Sequence, residues 1–502
     1  MSPLSPIEKL STGVPGFDTV SYGGLPRGRT TLVSGTSGSG KTVFAAQFLA
    51  NGIADYDERG VFVTFEETPG DIKANMAGFG WDIESWQRAG KLYFVDASPD
   101  PNDHVIETGQ YDLGGLLARI AAAVERVGAS RLAIDSLGAI FSQFQDAAIV
   151  RRELFRMAHQ ARALGVTSVM TAERTDEYGP LGRHGVEEFL CDNVVVLRNV
   201  LEDEQRRRTL EIVKFRGTDH QKGEHPFVIL GNQGISVIPL SGIELVQPSS
   251  STRITSGNAE LDGMCGGGFF RDSVVLVSGA TGTGKTLTVT HFLAAGASAG
   301  ERCLLLGYEE SRDQLIRNAG GWGADFGAME AAGSLKVHCE YPEARGLEDH
   351  LLRIRGLIEE FDPQRVAIDS LSALERVGTP KAFRQLVISL TSFIKDRQIT
   401  GLFTNTTPTL IGGTSVTEAH ISSLTDSIVL LRYVEMFGQM HRGITVLKMR
   451  GSPHAKEIRE ITIDGSGMHV GAAFRSVSGI LTGAPQHTRH ELERMEGLFP
   501  EE

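Results

Sequence analysis

Short apolar runs rich in valine, isoleucine and leucine recur along the chain, separated by longer stretches whose apolar residues return every three or four positions. TTLVSG (30–35), GVFVTF (60–65), KLYFVDA (91–97), RLAIDS (131–136), VTSVMTA (166–172) and NVVVLRN (193–199) each predict a buried strand. DLGGLLARIAAAVERVG (112–128) carries its apolar residues at helical spacing and stops at Gly128, a residue suited to a helix end. Strands that alternate with helices in this way predict a mostly parallel α/β sheet with helices on both faces.

The pattern occurs twice. GFDTVSYGGLPRGRTTLVSGTSGSGKT (16–42) parallels ELDGMCGGGFFRDSVVLVSGATGTGKT (260–286), with a constant offset of 285 − 41 = 244. Further pairs follow in the same order: VFVTFEETPGDI with CLLLGYEESRDQL, RLAIDSLGAI with RVAIDSLSAL, and LEIVKFRGTDH with ITVLKMRGSPH. A chain of 502 residues is too long for one ordinary core. It divides into two homologous domains, 1–247 and 248–475, with a loop and tail over 476–502. Proline and serine cluster at the junction, VQPSSSTRITSG. In the tail, Leu492, Met495 and Phe499 share helical spacing, but a frayed end is the favoured reading.

Charge narrows the function. A net charge of −13 argues against a life on nucleic acid, and the Arg206–Arg208 cluster, flanked by acids, reads as a solvated loop. No apolar run is long enough to span a bilayer, and the first ten residues lack a signal-peptide pattern, so a cytoplasmic protein is expected. Cys191, Cys265, Cys303 and Cys339 have neither CxxC nor zinc-ligand spacing and read as buried small residues in a reducing compartment.

The chemistry sits at the strand ends. GTSGSGKT (35–42) and GATGTGKT (279–286) both fit the phosphate-loop pattern G-x-x-x-x-G-K-[ST] between a strand and a helix. Their glycines let backbone N–H groups and a helix N-terminus face phosphate. Two matches in register dispose of a chance glycine-rich turn. The loops make Gly38, Ser39, Gly40, Lys41, Thr42 and Val43 nucleotide-binding residues in the first copy. In the second these are Thr281, Gly282, Thr283, Gly284, Lys285, Thr286 and Leu287. Lys41 and Lys285 reach the β/γ-phosphates of ATP or ADP, while Thr42 and Thr286 hold Mg²⁺. Glu66 and Glu67 end the strand after the first loop, and Glu309 and Glu310 occupy the matching place. A lone acidic pair would read as a solvated turn; its recurrence favours carboxylates that activate an attacking oxygen or support the metal. Asp135 and Asp369 end the RLAID and RVAID strands and resemble the Walker B aspartates that bind Mg²⁺ directly or through water.

Taken together, GGLPRGRTTLVSGTSGSGKT, VFVTFEETP, FVDASPDP, RRELFR, DEYGP, CGGGFFRDS, YPEARGLEDH, GLFTN and KMRGSPHAKEIRE resemble the KaiC circadian-clock ATPases from about Leu10 to Arg475. The resemblance implies two tandem RecA-like domains and a homohexameric double ring, with room for higher assembly. It implies a nucleotide at each subunit interface, a slow ATPase in the first ring, and an autokinase and autophosphatase in the second. Glu67 and Glu310 would be the bases, and Glu309 would assist Mg²⁺. Lys214, Phe215, Arg216, Thr218 and His220 would meet a neighbour's nucleotide in the first ring, as would Arg442, Lys448, Met449, Arg450, Ser452, His454 and Lys456 in the second. Trp322 matches a nucleotide-side tryptophan. The partners implied are KaiB-like and KaiA-like proteins and output signalling proteins. One departure is Gly78, where the family often has serine.

The two copies differ at one telling place. RHGVEEFLCDN (183–193) aligns with TEAHISSLTDS (417–427), which puts Ser422 and Ser423 opposite Glu188 and Phe189. The first copy offers γ-phosphate only water; the second offers two hydroxyls, with Thr417 a third, transient acceptor. The resemblance thus implies autophosphorylation on Ser422 and Ser423. An N-cap serine pair is the plainer alternative for these residues, and for the whole protein the alternatives are a RecA-like nucleic-acid motor and a non-rhythmic signalling scaffold.

Overall fold

The computed structural model describes residues 7–98, 113–138, 147–181, 191–202, 205–239, 249–407, 421–436, 438–474, 477–478 and 486–487. The chain separates into two compact units, Met1–Gly242 and Ile243–Glu502. The stretch 240–248, which holds the expected boundary at 247, lies outside the described residues, as does most of the tail.

Each unit is built on a nine-stranded sheet, and the two sheets share one strand order. In the first, six strands run parallel in the order Asn193–Glu202, Thr30–Gly35, Thr167–Glu173, Arg131–Asp135, Gly60–Thr64 and Leu92–Asp96. Three antiparallel strands, Gln205–Phe215, Glu224–Leu230 and Gly234–Val237, extend it beyond Asn193–Glu202. All six apolar runs predicted as strands are strands. Thr30–Gly35, Arg131–Asp135 and Gly60–Thr64 are buried along their length, whereas Leu92–Asp96, at the edge, is partly open. The helix read from 112–128 runs from Gly114 to Val127, and Gly128 ends it in the left-handed region. Arg206–Arg208 do not form a loop. They lie on the strand Gln205–Phe215, where the antiparallel ladder pairs Arg208 with Asn199, Arg207 with Val200 and Arg206 with Leu201.

Helices cover both faces. In the first unit, helix Lys41–Tyr56 places Phe44, Phe48 and Ile53 in one apolar cluster. Helices Gly114–Val127 and Ala147–Ala163 close a second cluster on the opposite face through Leu117, Ile120, Leu154 and Met157. Among the described residues no helix is long and apolar enough to cross a membrane. All four cysteines are free; Cys191, Cys265 and Cys303 are buried and Cys339 is half-buried.

One buried charge recurs in both units. Arg131 opens its strand only 1% exposed. Its guanidinium donates to Glu58 (2.5 Å) and to the carbonyls of Phe48 (2.8 Å) and Ser11 (2.7 Å). Arg365 repeats this with Glu301 (2.5 Å) and the carbonyls of Phe292 (2.9 Å) and Thr255 (2.8 Å). Each guanidinium lies 4.8 Å from the ring of Phe48 or Phe292. The helix can pass this close only because it has glycine at the crossing. A methyl group on Gly52 would lie 2.4 Å from Nε of Arg131, and one on Gly296 2.6 Å from Arg365.

Gly52→Ala is therefore expected to destabilise the protein. Alanine gains about 1 kcal/mol of helix propensity, but the guanidinium held by three partners cannot step aside. A net loss of about 1–3 kcal/mol follows from overpacking, read as a lower urea midpoint. An unchanged or raised midpoint would contradict it.

Candidate functional site

The two phosphate loops form where the chain passes from strand to helix. Gly38 and Gly40 (φ 73° and 98°) and Gly282 and Gly284 (φ 79° and 108°) take the left-handed backbone that turns successive N–H groups the same way. Neither following helix has a side-chain cap at its N-terminus, so its first N–H groups face the loop. Ser39 and Thr283 brace the loops from inside by donating to the carbonyls of Thr36 and Ala280, both at 2.8 Å. Lys41 donates to the carbonyl of Thr36 (2.8 Å); Lys285 donates to those of Gly279 (2.9 Å) and Ala280 (3.0 Å). Burial lowers the pKa of both lysines, and carboxylates beside them oppose the shift. Around Lys41 these are Glu173, Asp135, Glu66 and Glu177; around Lys285, Asp369 and Glu309.

Asp135 and Asp369 reach the helix across the intervening strand. Thr286 donates to Asp369 at 2.7 Å, and Thr404 holds its other oxygen. Asp135 has the same pair in Thr42 and Thr171. Burial raises the pKa of both aspartates. In each unit the peptide between this aspartate and the next serine is cis. Those serines, Ser136 and Ser370, donate to Glu66 (2.7 Å) and Glu309 (2.9 Å).

The second glutamate of each pair is held differently. Thr68 and Ser311 cap the helices that begin directly after the acids, each through a reciprocal capping box with Asp71 or Gln314. Further along those helices, Asn75 donates to Glu67 (2.8 Å) and Asn318 to Glu310 (2.7 Å). Burial, and then the nearby Asp369, raise the pKa of Glu310 despite that bond. These serines and asparagines were not read from the sequence, although both recur at matched positions.

In the first unit the predicted residues Gly38, Gly40, Lys41, Thr42, Val43, Glu66, Glu67 and Asp135 line one cleft of about 370 Å³. Ser39 lies buried beneath it. Glu173, also missed, joins the lining. Its counterpart by strand register is Thr406: Glu173 stands opposite Gly35 and Thr406 opposite Gly279. In the second unit Thr283, Lys285 and Leu287 are buried and Thr281 and Gly282 are exposed. Trp322 packs half-buried against the apolar cluster of that unit.

The model of the KaiC ATPase family matches residues 10–242 and again 254–474. The chain belongs to the KaiC family. The Synechocystis sp. protein described as circadian clock protein KaiC3 is 63% identical over 496 residues, covering 99% of this chain and 98% of that one. The circadian clock oscillator protein KaiC of Thermosynechococcus vestitus is 56% identical over 479 residues, covering 95% and 92%. The two nine-stranded sheets are thus the tandem RecA-like domains of a KaiC-family protein, with its ATPase domain present twice.

In the first unit of this KaiC-family chain the remaining predicted residues do not line the cleft. Lys214 donates to the carbonyl of Cys191 (2.7 Å), and Arg216 stands 3.9 Å from Asp192. Thr218 is half-buried, while Phe215 and His220 turn inward, ring against ring at 5.7 Å, and burial lowers the pKa of His220. In the second unit Lys448 and Arg450 hold the carbonyls around Ser422 and Ser423. Met449 is buried, Ser452 accepts from Arg253, His454 is half-buried and Lys456 is exposed. Arg442 lies on the chain's own phosphate loop, donating to the carbonyl of Gly282 at 3.1 Å with its guanidinium 5.6 Å from the ring of Tyr433. Gly78 is exposed, with open space where a side chain would project. Thr417, Glu188 and Phe189 fall outside the described residues.

Asn75→Ala should slow ATP hydrolysis by the first domain about tenfold, the effect of losing one hydrogen bond to a charged group. KM for ATP should stay within about twofold, because the amide touches the carboxylate and not the phosphate loop. Steady-state phosphate release in a Glu310→Gln background isolates the first domain. A rise in KM with kcat unchanged would count against this role for Asn75.

Proposed function

We propose that the two domains divide one reaction: the first passes the γ-phosphoryl group of ATP to water, and the second passes it to Ser422 and Ser423 of the chain itself. The observation that carries this reading is the sameness of the two catalytic sets beside the difference in acceptors. Loop lysine, threonine–aspartate pair, serine-held glutamate and asparagine-held glutamate all recur. What differs is Glu188 and Phe189 in one copy against two serines in the other.

In the second domain Glu310 accepts the serine hydroxyl proton while Oγ bonds to the γ-phosphorus. The bond from that phosphorus to the β,γ-bridging oxygen breaks, and ADP leaves. In the first domain Glu67 plays the same part toward water. Attack of water on the phosphoserine phosphorus breaks its bond to Oγ, releases inorganic phosphate and returns the second domain to its starting state. Thr42 with Asp135, and Thr286 with Asp369, suit Mg²⁺, since each joins a hydroxyl to a buried carboxylate whose raised pKa a cation would offset. When bound, Mg²⁺ neutralises charge on the β- and γ-phosphates. Glu309 lies beside this pair and would support it.

None of Lys214, Arg216, Thr218 or His220 lines the first cleft of its own chain. This supports their use on a neighbour's nucleotide in a homohexameric ring, where added cations stabilise the γ-phosphoryl only after assembly. The names of the relatives support a timing role; on this reading KaiB-like, KaiA-like and output proteins read it out in the cytoplasm.

Phosphopeptide mapping after incubation with Mg·ATP is expected to find phosphate on Ser422 and Ser423, with Thr417 a transient third site, and none in Glu310→Gln or Lys285→Ala. An unmodified 417–427 peptide in the assembled protein would sink the kinase reading. The pH dependence carries a sign. The pKa of Glu310 is raised above the ordinary 4.5, and a base must be deprotonated to work. Phosphate transfer should therefore fail on acidification at a pH above 4.5, and an acid limb at or below that value would contradict Glu310 as the base.

A further inference from the structure

Lys448 and Arg450 each hold the backbone of one candidate acceptor. The Lys448 ammonium donates to the carbonyls of Ser422 and Thr425, both at 2.6 Å. Arg450 donates to the carbonyl of Ser423 at 2.7 Å. The turn they grip is anchored from behind: Asp426 accepts from the backbone N–H of Val274, on the phosphate-loop strand, and pairs with Lys395, both at 2.8 Å. The part of this grip nearest the strand belongs to both domains, since Lys214 holds the carbonyl of Cys191 at 2.7 Å as Lys448 holds that of Thr425. The carbonyls that correspond to Ser422 and Ser423 lie outside the described residues of the first domain.

These bonds do not use up the cations. Lys448 keeps one N–H free of the two carbonyls, and the Arg450 guanidinium, with one nitrogen 3.7 Å from Asp426, still has more donors than these two partners take. Either cation can therefore bond an oxygen of another subunit's γ-phosphoryl group and still hold its serine. The serine is then carried into place by the same side chain that neutralises the group it attacks.

We infer that Lys448 and Arg450 are positioning residues that choose the acceptor, Lys448 presenting Ser422 and Arg450 presenting Ser423. This rests on the reading of the two serines as acceptors, and it adds what would select between them. Ser422 is half-buried and Ser423 exposed, so solvent access alone would favour Ser423 always. Two separate tethers make the ratio depend on which cation is engaged.

The test is the ratio of phosphate on the two serines in the full-length assembled protein, measured by phosphopeptide mass spectrometry. Arg450→Ala should lower Ser423 relative to Ser422 about tenfold, and Lys448→Ala should shift the ratio about as far the other way, as expected for one lost charge-assisted hydrogen bond. Arg450→Lys, which keeps a donor, should recover part of the Ser423 share. An unchanged ratio in variants that still carry phosphate overturns the choice of acceptor alone. No phosphate on either serine of the unsubstituted chain overturns the acceptor reading itself, and this choice with it. Hydrogen exchange reads the tether without any reaction. The amides of Leu424 and Thr425, both bonded to the carbonyl of Ile421, should exchange about tenfold faster in Lys448→Ala. Unchanged exchange there overturns the tether.

Discussion

Each catalytic cleft depends on one short strand being fastened to the phosphate-loop helix at both ends. At its foot, Arg131 or Arg365 binds the carbonyl of Phe48 or Phe292 in mid-helix. At its head, four residues on, Asp135 or Asp369 meets Thr42 or Thr286 in the first turn of the same helix. Strand and helix cannot then slide along one another, so the separation between loop lysine and aspartate is set by the fold. Burying a guanidinium is costly unless each donor finds an oxygen, and removing a partner from such a pair typically costs about 3–5 kcal/mol. Here a carboxylate and two carbonyls satisfy it, and the glycine of the helix makes room. The third partner, Ser11 or Thr255, brings the segment that precedes the domain's sheet into the same anchor.

From that fixed frame the acids are placed in two ways. The serine after the aspartate reaches the first glutamate, so that acid follows the strand. The asparagine reaches the second, so that acid follows the helix begun by the capping box. On the proposed reading this second carboxylate takes the proton of the attacking oxygen, and the side chain that holds it is a neutral amide. In the second domain burial raises the pKa of Glu310.

Much of this was legible in the sequence because the signals are local. A phosphate loop, an acidic pair at a strand end and an aspartate closing an apolar run each lie within a few consecutive residues, and the duplication showed each of them twice. What stayed hidden depends on register between distant segments. Gly52 looks like an ordinary helix glycine until Arg131, far along the chain, is seen crossing it. Glu173 acquires meaning only when its strand is aligned against Gly35. Asn75 and Asn318 are polar residues on mostly exposed helices, and only the fold turns them toward a glutamate. Arg206–Arg208 were misread because flanking charge suggested a loop, whereas strand pairing with Asn199–Leu201 holds them. Such partners could have been sought as polar residues that recur at equal offset in both copies.

Glu173 beside one phosphate-loop strand and Thr406 beside the other change the charge next to the two loops. Among the described residues, the carboxylates around Lys41 are Glu173, Asp135, Glu66 and Glu177, and those around Lys285 are Asp369 and Glu309. On the proposed reading, a polyphosphate at the first loop stands among more of these carboxylates than one at the second. Dissolved salt screens the fields of such charges over about 10 Å at 0.1 M, so a change of ionic strength acts unequally on the two halves. On that reading, one polypeptide carries two phosphate loops whose surroundings respond differently to ionic strength.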